Sequence, residues 1–172
     1  MSLPKTWTDG VNSWCLFSAD RAYRYYLTRR LREDGKGSRV CIGLNPSTAD
    51  ETKDDPTVRR LAMRAYDDGF RSITMLNLFA YRATDPRKML SHADPVGQRN
   101  DSVIIGMAAS ADSIVICWGS HGSYGSRSGE VLHILKRHRH NISHFGLTKS
   151  GEPRHPVRMA KNTPLVKWEY PT

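Results

Sequence analysis

"RVCIGLNPSTADETKDDPTVRRLAMRAYDDGFRSITMLNL", residues 39–78, decides the fold. After Arg39 the run "RVCIGL" (39–44) is continuously apolar, the pattern of a central strand covered on both faces. Asp55 is a good helix N-cap and Pro56 suits the first helical position. Val58, Leu61, Ala62, Ala65 and Tyr66 then recur at helical spacing until Gly69 stops the segment. "SITMLNL" (72–78) is a second apolar strand, which ends at Asn77. A buried strand, a helix and another buried strand in succession predict a parallel pair joined by a crossover.

The same alternation continues downstream. Asp94-Pro95 predicts the start of a helix whose apolar side carries Val103, Ile104, Met107 and Ala108. "SIVICW" (113–118) is a third strand, stopped by Gly119. "SGEVLHILKRH" (128–138) is helical and grows basic towards its end, which complements the helix dipole. "ISHFGL" (142–147) is a fourth strand. Upstream, "CLFSADRAYRYYLTRRL" (15–31) contains an alternating stretch that puts Tyr23, Tyr25, Leu27 and Arg29 on one face, with "SADR" as the turn of a hairpin. "REDGKGS" (32–38) reads as a loop. The expected architecture is a single α/β domain over 1–172, a three-layer α/β/α fold. It has a four-stranded, mainly parallel sheet in a core spanning 39–160, and an N-terminal β-hairpin over 14–31.

Composition narrows the functional classes. At 172 residues, 38% hydrophobic and 25% charged, the chain has the make-up of one soluble globular domain. No apolar run approaches the roughly 18–20 residues that span a bilayer. "MSLPKTWTDG" has neither the charged start nor the apolar centre of a secretion signal, so a cytoplasmic monomer with no membrane contact is expected. The net charge of +9 favours a polyanionic partner, single- or double-stranded DNA. Cys15, Cys41 and Cys117 lack CxxC spacing and read as structural thiols. His133, His138, His140 and His144 match no standard zinc spacing, so neither metal nor other cofactor is expected. "GSHGSYGSRSG" (119–129) lacks the GxxxxGK[ST] phosphate loop, and no G-x-S-x-G nucleophile motif occurs.

In a parallel α/β sheet, ligands bind beyond the carboxyl ends of the strands. Those ends carry Asn45, Asn77, Trp118 to Ser120 and, after the last strand, Arg154-His155-Pro156. Four separate segments thus deliver polar groups to one rim.

Two resemblances attach to these residues. "GLNPS" (43–47), "TMLNLF" (74–79), "VICWGS" (115–120) and "RHPVRM" (154–159) resemble, in order, the motifs of the uracil-DNA glycosylase superfamily, especially its mismatch-specific branch. "LNPSTAD", "DPTVRR", "NLFAYRATDP" and "GEPRHP" also resemble a bacterial and phage family defined by a domain of unknown function. The first resemblance implies base flipping and hydrolysis of an N-glycosidic bond. It casts Asn45 as the group that orients water, Asn77 as the reader of a base edge and His155 as donor to the departing base. It also makes Phe79 and Trp118 base-stacking candidates. Ser47, Ser120, Arg154 and Arg158 become candidates for phosphate contact, with Arg60 and Arg64 added from the basic helix.

The chain departs from that pattern in two places. Asn45 stands where the strongest uracil glycosylases carry aspartate, and Asp50, Asp54 and Asp55 are the nearby carboxylates that could substitute. "VRM" follows His155-Pro156 in place of a serine and a leucine wedge, leaving Arg158 or Met159 for that task.

Plainer readings stand beside each assignment. Asn-Pro also ends strands as an ordinary turn, Trp118 and Phe79 also suit a core, and the arginines of 59–71 also suit a solvated helix face. The expected function is a DNA glycosylase-like protein acting on an unusual or modified base. The alternatives are a non-catalytic base reader and a nucleotide-modifying enzyme using the same cleft.

Overall fold

A computed structural model describes residues 12–170, without the side chains of 139, 140 and 158. The stretch "MSLPKTWTDG" and the side chains of His140 and Arg158 lie outside what is described. Seven strands form one sheet: β1 (Ser13–Phe17), β2 (Arg24–Arg30), β3 (Lys36–Gly43), β4 (Phe70–Asn77), β5 (Ser113–Ile116), β6 (Ile142–His144) and β7 (Val166–Lys167). Their spatial order is β1-β2-β4-β3-β5-β6-β7. The helices are α1 (Pro56–Asp67), α2 (Pro86–Leu90), α3 (Asn100–Ala109) and α4 (Arg127–Leu135).

The expected four-stranded sheet is therefore corrected to a mixed seven-stranded one. Its centre, β4-β3-β5-β6, is parallel. The hairpin does not stand apart: β2 pairs antiparallel with β4, and β7 adds antiparallel to β6. At two residues, β7 is too short to leave a periodic signal in sequence.

Alternation along the central strands explains the layers. Cys41, Ile73, Met75 and Val115 face α1, which packs on them through Val58, Leu61, Ala62 and Ala65. Val40, Ile42, Leu76, Ile114 and Ile116 face the other way, onto α3 and α4 through Ile104, Ala108, Val131 and Leu135. Helices thus cover both faces, as the continuous apolar strands require.

Helix α1 forms where its punctuation places it. The Asp55 side chain accepts a hydrogen bond from the Val58 N–H at 2.8 Å, and Gly69 follows the helix at φ +84°. The helix expected from Asp94 does not start there. Asp94 Oδ1 instead accepts from the Gly97 N–H in a tight turn, and Pro95 and Val96 pair with Tyr81 and Ala80. The helix proper begins at Asn100, and Asp85-Pro86 opens the short α2.

The loop expected over 32–38 ends early, because β3 already pairs with β4 at Lys36 opposite Phe70. Gly35 makes that approach possible: a Cβ there would lie 2.4 Å from the Arg71 backbone nitrogen. Gly35→Ala is expected to destabilise the protein by about 1–3 kcal/mol, since the obstacle is backbone and cannot turn aside. The check is a lower urea midpoint at unchanged m.

Candidate active site

The sheet order reverses at β3. From there the chain crosses by α1 to β4 on one side, then returns by α3 to β5 on the other. Ligand sites of open α/β sheets lie at such a reversal, beyond the carboxyl ends of the strands. A cleft of about 960 Å³ opens at that place. It is walled by the turn after β3 (Gly43 to Thr48), the end of β4 (Met75, Asn77), the first turn of α1, the turn after β5 (Trp118 to His121) and the segment around Arg154 and His155.

Each wall is fixed by identifiable contacts. The Asn45 Nδ2 donates to the carbonyls of Pro46 and Ala83 at 3.0 and 2.8 Å, and the Ala83 N–H donates back to Pro46 O. Asn45 therefore ties the turn after β3 to the chain after β4. Its Oδ1 accepts no hydrogen bond among the described residues. Asn77 is buried, and its Oδ1 accepts from Arg24 Nη2 at 3.5 Å. Its Nδ2 would sit 3.4 Å from a Cβ on Gly43, its neighbour in register on β3. A side chain at position 43 would therefore lie in van der Waals contact with that amide.

The segment bearing His155 is drawn in from two directions. The Gly119 N–H donates to Pro153 O at 2.8 Å, and Gly119, at φ +79°, would place a Cβ 3.3 Å from that of His155. His155 Nδ1 accepts from the Val157 N–H at 3.4 Å, which in the neutral ring makes Nε2 the N–H donor. Arg60 donates to Met159 O, and Arg64 Nη1 donates to Thr163 O at 2.7 Å.

Those last contacts set Arg60 and Arg64, the candidate phosphate ligands of the basic helix, apart from the lining of the cleft. Both clasp the 159–163 segment, and Arg64 also pairs with Asp68. They border a separate cavity of about 400 Å³ with Phe145 and Pro156. Phe79 is likewise removed from the base-contact set. It lies in the core, away from the cleft, because past the end of β4 the chain stays beside β3 and the turn after it, with Leu78 N–H donating to Gly43 O and Phe79 N–H to Leu44 O. Trp118 borders the cleft but is 1% exposed, with its indole N–H donated to Glu152 and its ring packed against Gly122. It is a core residue with no open stacking face. Ser47, Ser120 and Arg154 line the cleft, Arg154 also donating to Leu147 O.

The three nearby carboxylates are sorted by their partners. Asp50 accepts from the backbone of Thr52 and Lys53 within its own turn. Asp54 pairs with the buried Arg29 at 2.8 Å. Asp55 alone of the three lines the cleft, one oxygen capping α1. Among the described residues no group of three His, Cys, Asp or Glu side chains is arranged to hold a metal. The cysteines are free thiols, and burial pushes Cys15 up to about 11 and Cys41 up to about 12. That keeps them protonated and poorly nucleophilic.

Arg24 is the cleft residue that strand periodicity conceals. In β2 the register with β1 slips, Leu16 facing Tyr26 and Phe17 facing Arg24, so Tyr25 is an extra residue. This bulge returns Arg24 to the face that carries Leu27 and Arg29, a common device beside functional sites. Arg24 and Arg29 then grip the same loop, Arg24 donating to Ala49 O and Arg29 to Asp50 O, Lys53 O and Asp54. The 48–55 segment is a pinned wall of the cleft.

Removing one partner of a buried ion pair leaves a bare charge. Asp54→Ala is thus expected to cost about 3–5 kcal/mol in urea unfolding. Glu51→Ala, which breaks the half-exposed pair with Arg21, should cost at most about 1 kcal/mol.

No curated protein and no solved structure matches this chain, and neither comparison lends support to a relationship with the uracil-DNA glycosylase superfamily. No helix among the described residues is long and apolar enough to cross a membrane. Residues 24–157, from the arginine of β2 to the segment that carries His155, match the family described as a protein of unknown function (DUF1643), and the chain belongs to that family.

Proposed function

We propose that the cleft receives a nucleobase and that the protein is a DNA glycosylase-like hydrolase acting on an unusual or modified base. The observation that carries the reading is the convergence on one cleft of Asn77, His155 and Asp55, from the end of β4, the 154–163 segment and the start of α1. A cleft of about 960 Å³ falls in the range of small-molecule sites. The parallel β4-β3-β5-β6 centre, with helices on both faces, is what a glycosylase-type three-layer fold would need.

N-glycosidic hydrolysis needs the base gripped, negative charge on the departing base stabilised, and a water aimed at an oxocarbenium-like sugar. In this reading the Asn77 Nδ2 donates to an acceptor on the base or on its modification, and the His155 Nε2–H donates to the leaving base. Asp55, through the oxygen that does not cap α1, orients the water and stabilises the cationic sugar. The Nδ2 bonds of Asn45 to two carbonyls brace the cleft mouth and leave its Oδ1 to accept from the water. The net charge of +9 supplies attraction to a DNA backbone.

A second reading, a base reader without cleavage, is favoured by the amide of Asn45 in the turn after β3, where a carboxylate would serve a water and a cationic sugar better. Base release from a panel of modified DNAs, followed by mass spectrometry and abasic-site detection, separates the two. His155→Ala and Asn77→Ala are each expected to slow release by about 100-fold or more with circular dichroism unchanged. Salt-sensitive binding of those DNAs without release of any base would overturn hydrolysis in favour of reading.

A further inference from the structure

Four arginines of the described chain are buried: Arg24, Arg29, Arg39 and Arg127. Three of them hold carboxylates. Arg29 pairs with Asp54 at 2.8 Å, Arg39 with Asp68 at 2.5 Å, and Arg127 with Glu130 at 3.0 Å and with Asp101. Arg24, only 2% exposed, makes no ion pair among the described residues. A buried guanidinium without a counter-ion is costly, and it is the exception that needs a reason.

The hydrogen bonds do not supply one. Of five N–H groups, Arg24 donates one to Ala49 O at 2.9 Å and one, at 3.5 Å, to Asn77 Oδ1. Its Nε is buried with no acceptor. Burial pulls the guanidinium down to about 10, against the field of Asp55, so it remains a cation at neutral pH.

Its place is the inner wall of the cleft, beside Asn77 and Gly43. Because Asn77 Oδ1 is turned towards Arg24, the amide offers Nδ2 on the side of Gly43, where no Cβ intervenes. The inner wall therefore offers donors: a guanidinium edge and an amide NH₂. A neutral base edge with mixed donors and acceptors would leave some of them unmatched, whereas a charged oxygen pair accepts from both.

We propose that the inner wall of the cleft is an oxyanion subsite, in which Arg24 and the Nδ2 of Asn77 hold a carboxylate or phosphate borne by the end of the ligand that enters first. This rests on the cleft being the ligand site, as in the preceding reading, but not on cleavage of any bond. Such an oxyanion has two sources, an acidic substituent on a base in DNA or the phosphate of a free mononucleotide.

The test is titration calorimetry at fixed ionic strength with two matched pairs of probes. One pair is a single-stranded oligonucleotide carrying one carboxyl-substituted pyrimidine and its unsubstituted counterpart. The other is a deoxynucleoside monophosphate and its deoxynucleoside. In at least one pair the anionic member is expected to bind about tenfold or more tightly, the scale of a charge-assisted hydrogen bond. Arg24→Gln should erase that preference and Arg24→Lys should keep part of it. Asp55→Asn, which keeps a helix cap but removes the carboxylate whose field reaches Arg24, should strengthen it.

Because Arg24 also tethers Ala49, the Asp55→Asn arm decides the matter if Arg24→Gln fails to fold. Equal binding of both members in both pairs, or weaker anion binding in Asp55→Asn, would reduce Arg24 to a structural clamp. Anion preference without base release defeats only the preceding reading. Base release with no anion preference defeats only this one.

Discussion

The grip of β2 on the loop over 48–55 is the constraint on which the rest of the molecule depends. Arg24 and Arg29 reach it from one strand, taking the carbonyls of Ala49, Asp50 and Lys53 and the carboxylate of Asp54. With those ends fixed, Asp55 meets the start of α1 at the spacing of an N-cap, and α1 lies down on Cys41, Met75 and Val115. The hairpin is thus not an appendage to the parallel sheet. It holds the connection from β3 to α1, and through that connection the cleft.

That dependence explains the mixed sheet. Antiparallel pairing of β2 with β4 places Arg24 beside the carboxyl ends of the parallel strands, where the chain leaves regular structure, and Arg29 opposite Ile73, from where its side chain reaches the same loop. Backbone groups in such a region need partners. Guanidinium groups, with several donors each, can serve carbonyls that no strand reaches.

Much of this was legible in sequence wherever a local signal was sufficient. Asp55-Pro56 and Gly69 bracket α1 through capping chemistry, and uninterrupted apolar runs mark β3, β4 and β5 because both their faces are covered. Strand direction accounts for Asn45 and Asn77 at one cleft, whereas His155 is brought there by the returning segment, which Gly119 holds through Pro153 O. Where long-range contacts decide, sequence was silent. Arg24 is hidden by a bulge, which breaks the period that a reader must assume. Arg60 and Arg64 look like solvated charges until the returning segment supplies carbonyls for them. Trp118 sits where a strand-end aromatic could serve a ligand, but Glu152, far along the chain, takes its N–H into the interior.

The clasp by Arg60 and Arg64 engages main-chain oxygens of Met159 and Thr163, not their side chains. Residue identity at those two positions is therefore uncoupled from the anchoring of the wall that they help to form. Met159 and Thr163, both of which border the cleft, can therefore be exchanged to reshape its wall without loosening the clasp that holds the segment after His155.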